Sequence, residues 1–291
     1  AGHERPHAAA KQGLAAERLG ALFHLGQGAR FSALVLSIRA AMRRFIPPKV
    51  MNALSEIVGV EQDHGRDALA RKLAEMGYRS SPLVEDPGTF SLRGDILDVF
   101  PALHDAPVRI DFFGDTVEAM RSFDPDTQRT LSAVTELTLL PARELFFSAE
   151  TKRQAEIAIR AAGESQHVPT SKVRERLEQV REGISAAGLE GLLPGFFEGG
   201  MASLIDYLKL CHSNPVVWID DPASQERLAE ELQTDIERSH ADAVRRLELT
   251  LPPGAHFISK PDVESALKSF RVIEGGGLTF DTQSDAPISF S

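Results

Sequence analysis

Apolar and polar residues alternate along VRIDFFGD, Val108–Asp115, until two phenylalanines stand side by side. Side chains of a strand point alternately to opposite faces. Val108, Ile110 and Phe112 therefore form one wholly apolar face. Arg109, Asp111 and Phe113 form the other, an aromatic beside two charges. Gly114-Asp115 is a two-residue turn of the kind that closes a hairpin, so TVEAM is expected to pair back along this strand. The neighbouring run TFSLRGDILDVF alternates in the same way up to Arg93, where Gly94 interrupts it. An interior glycine commonly marks a bulge, which places Arg93 beside a kink and on the polar face with Arg109. Two arginines around an outward phenylalanine have the composition of an interface hot spot. An ordinary solvated face with one stray aromatic is the competing reading.

Elsewhere the pattern changes period. Leu14 to Leu25 has helical spacing; FSALVLS, Phe31–Ser37, is a continuous apolar run expected as a strand buried on both faces; RAAMRRFIPP is expected as a helix stopped by Pro47 and Pro48. IVGVE reads as a short strand and ARKLAEMGY as an amphipathic helix ended by Gly77. From Tyr78 to Pro141 short strand-like runs are separated by DPG, RGD, FPALHDAP, FGDT and FDPDT, which are turn sequences. Helical spacing returns in SAETKRQAEIAIRAA and in TSKVRERLEQVREGISAAGL, with Thr170 or Ser171 as the cap. PVVWIDDP then reads as another buried strand, followed by a long helix from Ser224 to about Arg246. The fold class expected is α/β: an incomplete parallel-sheet domain with an inserted small α+β, mostly antiparallel domain. The boundaries this implies are 1–53, 54–143 and 144–291.

With 42% apolar and 25% charged residues, the composition is that of a soluble globular protein. A net charge of −10 argues against nucleic acid being held by the whole chain and leaves room only for a local basic patch. Cys211 is the single cysteine, so neither an internal disulfide nor a cysteine-built zinc site can close within the chain, which fits a reducing cytoplasm. No apolar run approaches the ~20 residues of a membrane span. The chain starts without Met and stops in PISFS, so it is expected to be a piece of something longer.

Candidate catalytic chemistry is thin. Asp220 and Asp221 end an apolar strand as a Walker B segment does, but the phosphate-cradling GxxxxGK[ST] loop is missing from the chain; LGQGARFS and EGGGLTF have glycines without the lysine. The pair is expected to be a strand-end turn. His3 and His7 bracket Pro6 and are expected to bind nothing.

The stretch FSLRGDILDVFPALHDAPVRIDFFGDTVEAMRSFDPDTQRT, with LLPAREL after it, closely resembles the transcription-repair coupling factors (Mfd family). Their pattern there is RG, ILDIFP, RIEFFGDE, FD and QRS. Weaker likeness runs outward through IRAAMRRFIPP, LAEMGY, VEDPGTF and VVWIDDP, and covers almost the whole chain. The resemblance implies the amino-terminal module of such a factor: a UvrB-like α/β domain of degenerate P-loop type, interrupted by a small domain that binds UvrA. It implies Arg93, Arg109 and Phe113 as the binding residues, with Asp111 added from the related UvrB. It implies no cofactor in this stretch; ATP and magnesium belong to a translocase motor outside it, as do contacts with RNA polymerase and double-stranded DNA. The implied location is the bacterial cytoplasm. Thr116 departs from the family's usual acid at the hairpin tip. The alternative is a UvrB-like, nucleotide-dependent DNA-damage-binding protein whose phosphate loop lies upstream; it would carry a tyrosine-rich hairpin, whereas the only tyrosines are Tyr78 and Tyr207. A third reading, binding of damaged DNA through the same arginines, sits poorly with the acidic surroundings.

Overall fold

The computed structural model describes residues 5–29, 31–211 and 215–275, with side chains from residue 15 onward. Helix α1 (Arg5–Gly26) is followed by an irregular segment, then α2 (Ile38–Met42), β1 (Arg44–Phe45) and α3 (Pro48–Leu54). A β-rich stretch comes next: β2 (Glu56–Gly59), α4 (Arg66–Glu75), β3 (Arg79–Ser80), β4 (Thr89–Arg93), β5 (Ile96–Phe100), β6 (Val108–Phe113), β7 (Thr116–Phe123), β8 (Thr130–Val134) and β9 (Glu136–Leu139). The remainder is mainly helical: α5 (Ala149–Ser165), α6 (Thr170–Glu182), a 3₁₀ stretch (Leu189–Phe196), β10 (Ala202–Ser203), α7 (Leu204–Leu208), β11 (Val216–Asp220), α8 (Pro222–Arg245), α9 (Pro253–His256), α10 (Lys260–Leu267) and β12 (Arg271–Gly275).

Strands β3 to β8 form one sheet in chain order, antiparallel apart from the short β3–β4 pair. Its inner face carries Phe90, Leu97, Val99, Val108, Ile110, Phe112, Val117 and Met120, all buried. Helix α4 covers β4 and β5, and its Leu69, Leu73 and Met76 enter the same core. The spacing of 69, 73 and 76 is one helical stripe, and Gly77, at φ +86°, takes the left-handed conformation that ends the helix. Val117 and Met120 are three residues apart, which plain alternation would send to opposite faces. The bulge where Asp111 pairs Ala119 but Phe112 pairs Val117 brings both inward. Strands β2 and β9 pair antiparallel beside this core and add Val58, Leu137 and Leu139. The same cluster continues into α1, α5 and the 3₁₀ stretch through Leu19, Ile159 and Phe196.

Several expectations are corrected. Gly94 is not a bulge: Arg93 pairs Ile96, so Gly94-Asp95 is a two-residue hairpin turn. Gly94 and Gly114 have φ of +57° and +63° while Asp95 and Asp115 stay out of the left-handed region, as in turns of type II′. RGD and FGD are thus the same turn used twice. The apolar run 31–37 forms no strand; Leu34, Val35 and Leu36 are exposed, Val35 by 93%. Apolar composition on both faces specifies a strand only when a neighbouring edge and two covering layers are supplied, and none is supplied to this segment among the described residues. Strand β11 does form, parallel to β12, yet Val216 and Trp218 are exposed rather than buried. The parallel pairing among the described residues is this pair and β3–β4, so the architecture is mixed α/β with mostly antiparallel sheet.

Helix α2 ends at Met42, before the two prolines; Pro47 and Pro48 instead open α3, where a missing N–H costs nothing. Neither Thr170 nor Ser171 caps α6: Pro169 occupies the cap position and contributes no side-chain bond, and the helix stops at Gly183 in the left-handed conformation. The helices α4, α5 and α8 and the hairpin β6–β7 agree with the pattern.

Candidate protein-docking site

Strand register decides what β6 presents. Phe112 is buried at 5% exposure and Phe113 stands 80% exposed. The hairpin that carries Phe113 is held from its side. His64 and Gly65 donate backbone N–H groups to the Asp115 carbonyl at 3.0 and 3.1 Å, and the Thr116 hydroxyl donates to Asp63 Oδ1 at 2.5 Å. Thr116 thus ties the tip to the 61–65 loop. The second tip is braced as well: the Arg66 guanidinium donates to the Gly94 carbonyl, and Phe112 N–H donates to the Asp95 carbonyl at 2.9 Å. An exposed aromatic on a braced turn loses little conformational freedom when it docks.

The outer face of the sheet is organised in cross-strand rows. Ser91, Asp98, Arg109 and Arg121 lie in one row; Arg93, Ile96, Asp111 and Ala119 lie in the next, toward the tips; Phe113 and Thr116 pair beyond them. Sequence-predicted residues Arg93, Arg109, Asp111 and Phe113 are therefore together on one face, with Arg109 and Phe113 about 13 Å apart along the strand by its rise per residue.

Pattern reading missed the residue that joins the arginines. Asp98 is 1% exposed and accepts from Arg109 Nε at 2.7 Å and Nη2 at 2.9 Å, and also from Arg93 Nη2. A carboxylate buried that deeply needs charged partners with several donors, and two guanidinium groups supply them. Hydrogen bonding to Asp98 holds the Arg109 pKa above the usual arginine range, against the opposing effect of partial burial. Arg109 also lies over the Phe123 ring, 4.7 Å from its centroid, a cation–π contact. Phe123 packs with Val84 and Phe100 in a small apolar cluster on this outer side, and Ser91 Oγ donates at 3.4 Å to the carbonyl of Pro82, two residues before Val84. The far end of the face is thus closed by the 81–88 loop, and the end near the tips is open. Asp111 is paired in turn with Arg121.

The signal for Asp98 was present. Reading Gly94-Asp95 as a hairpin turn fixes Arg93 opposite Ile96 and Ser91 opposite Asp98, and so puts Asp98 on the polar face beside Arg109.

The other candidates fall elsewhere. Asp220 closes β11, and Asp221 is the N-cap of α8, its Oδ1 accepting from Ser224 N–H at 3.2 Å. This is the strand-end turn expected from the sequence, and it holds the Asp221 pKa below the usual carboxylate range. His3 and the side chain of His7 lie outside the described residues, as does most of EGGGLTF. Among the described residues no group of three or more His, Cys, Asp or Glu is placed to hold a metal ion, and no helix is long and apolar enough to cross a membrane.

Residues 58–145 match the family model described as the UvrB interaction domain, which spans almost all of the β-rich stretch from within β2 to beyond β9. The chain is 53% identical to the transcription-repair-coupling factor of Myxococcus xanthus over 276 residues, 94% of this chain and 23% of that protein. The factor of Bacillus subtilis is 33% identical over 78% of this chain and 20% of its own length, and that of Escherichia coli K12 is 29% identical over 89% of this chain and 22% of its own length. The chain thus spans about a quarter or less of the relatives it matches. A described UvrB interaction domain within near-complete coverage of this chain places it in one family: it belongs to the transcription-repair-coupling factors, and the six-stranded sheet is part of its UvrB interaction domain.

Proposed function

We propose that this chain is a non-catalytic interaction module whose outer sheet face docks UvrA, so that the parent factor brings nucleotide excision repair to a stalled RNA polymerase. Phe113 is the anchor that becomes desolvated on docking. Arg93 and Arg109 donate hydrogen bonds to carboxylates or carbonyls of the partner, and Asp111 holds the register of the charged row. The single observation that carries this reading is the exposure of Phe113 at 80% on a braced hairpin while its neighbour Phe112 is buried. A large apolar side chain left in water on a rigid support, next to arginines oriented by a buried acid, matches the anatomy of a docking hot spot.

On the same reading, residues 54–143 are an insertion in an α/β, UvrB-like domain of degenerate P-loop type made by 1–53 and 144–291. Use of Asp221 as a helix cap supports the loss of a metal-holding role there. ATP, magnesium, RNA polymerase and double-stranded DNA are then the business of other parts of the factor.

Titration of purified UvrA with the native chain, Arg109→Ala and Phe113→Ala tests the proposal. Loss of a central anchor of this type costs ~2 kcal/mol or more, a weakening of roughly thirtyfold. Equal affinities for the three proteins would remove the assignment. Magnesium-dependent, saturable binding of a fluorescent ATP analogue would favour the nucleotide-dependent alternative instead.

A further inference from the structure

Arg121 was singled out neither by the sequence pattern nor by the family's motif, yet the register sets it directly across from Arg109 on the outer face. Like charges directly opposite on neighbouring strands are destabilising. Folding tolerates the pair because each guanidinium has its own acid: Asp98 under Arg109 and Asp111 under Arg121. The acids lie deeper than the bases. Side-chain exposure is 1% for Asp98 and 18% for Asp111, against 50%, 22% and 46% for Arg93, Arg109 and Arg121. Within these pairs the guanidinium groups lie nearer solvent than the carboxylates that hold them. These five groups are three cations and two anions, with Glu118 exposed in the bulge beside them.

We propose that Arg121 is a fourth recognition residue of the docking face, and that the surface it meets presents carboxylates or backbone carbonyls that complete the hydrogen bonding of the arginines. This rests on the docking function proposed above and adds both a residue and the chemistry of the partner. With 46% of its side chain exposed, Arg121 sits at the rim and not at the desolvated centre. Rim charges act mainly on the association rate and on salt dependence. Its guanidinium engages Asp111 through one nitrogen, Nη2.

The test is stopped-flow and equilibrium binding of purified UvrA to the native chain and to Arg121→Ala, Arg121→Lys and Arg121→Glu, at low and high salt, with thermal unfolding of each variant. Arg121→Ala is expected to unfold at the native temperature and to bind about fivefold more weakly at low salt, chiefly through slower association, with the difference shrinking at high salt. Arg121→Lys keeps part of the association rate, and Arg121→Glu falls well below alanine because it sets an acid against the partner's acceptors. Native affinity for Arg121→Ala, with Phe113→Ala and Arg109→Ala impaired, would overturn the inference and leave the docking function standing. If none of the variants at 109, 113 and 121 binds differently from the native chain, the docking function itself falls. A control separates recognition from positioning: Arg121→Ala made in an Asp111→Asn background. If the arginine has no further effect there, it acts only through Asp111, and its role in recognition is refuted.

Discussion

Two sheets of this molecule treat apolar side chains in opposite ways. The six-stranded sheet β3–β8 packs most of the inner face of β4–β7 against α4 and the main core, and leaves one large aromatic, Phe113, 80% exposed on the other face. The parallel pair β11–β12 is apolar in composition but leaves Val216, Trp218, Val272 and Ile273 exposed. An antiparallel sheet of hairpins carries its own register in its turns and needs cover on only one side. A parallel pair needs neighbours and helices on both faces before its apolar residues are useful. The first sheet thus carries its own register, and Phe113 stands out on it as the exposed aromatic, more exposed than Leu92 or Leu131. Exposed residues on the second are the common condition of that sheet and single out no site.

The contrast can be broken most severely at the core side of β6. Phe112→Ala removes a buried ring and should destabilise the protein by about 3–5 kcal/mol, read as a lower midpoint in urea. Phe113→Ala, one residue on, should change the midpoint by less than about 0.5 kcal/mol. Similar losses for both would mean that the two rings do not face opposite sides.

Next in size is the buried acid. Asp98→Ala strands the Arg109 guanidinium without its partner and should cost about 3 kcal/mol, measured by the same denaturation. It should also weaken docking, because Arg93 and Arg109 lose the group that orients them. Native stability in this variant would contradict a structural ion pair at that position.

A smaller effect sharpens the other side of the comparison. Trp218 is the only tryptophan and is 63% exposed in β11. Intrinsic fluorescence should therefore resemble that of a solvated indole in the folded protein and move little on unfolding, while circular dichroism reports the full transition. Trp218→Ala should cost no more than about 1 kcal/mol. A strongly blue-shifted native emission would show the ring to be covered.

The smallest expected effect is on pH. Burial pushes the pKa of His256 and of His104 below the ordinary 6.5. Folding thus favours their neutral forms, so the unfolded chain binds more protons as the pH drops below about 6.5. The stability associated with the neutral rings is present above that value and declines as the pH falls through the lower, folded-state pKa. Urea midpoints at pH 7.5 and 5.5 should differ in that direction, and less so in His256→Gln. A higher midpoint at pH 5.5 would contradict the sign.

What could be read from the sequence follows the same division. Alternation in β6 and the Gly114-Asp115 turn were enough to place Arg109, Asp111 and Phe113 on one face, because a half-buried antiparallel strand writes its register into its residues. Arg93 was placed on the right face for the wrong reason, through a bulge at Gly94 that is a hairpin turn. That misreading hid Asp98, whose outward position follows only once the turn is counted correctly. Arg121 was hidden by the bulge opposite Asp111, since counting forward from Thr116 by twos puts it on the wrong side. The Phe31–Ser37 run and β11 failed for a different reason: composition records what a strand can tolerate, and burial depends on which neighbours arrive.

The central claim is that docking uses the outer face of the six-stranded sheet and leaves the parallel pair alone. Amide hydrogen exchange of the native chain, with and without saturating UvrA, tests it without altering a residue. Peptides covering 91–98 and 109–121 should exchange more slowly in the complex, while those covering 216–220 and 271–275 keep their free rates. Protection of the 216–220 and 271–275 peptides with no change across 91–98 and 109–121 would contradict it.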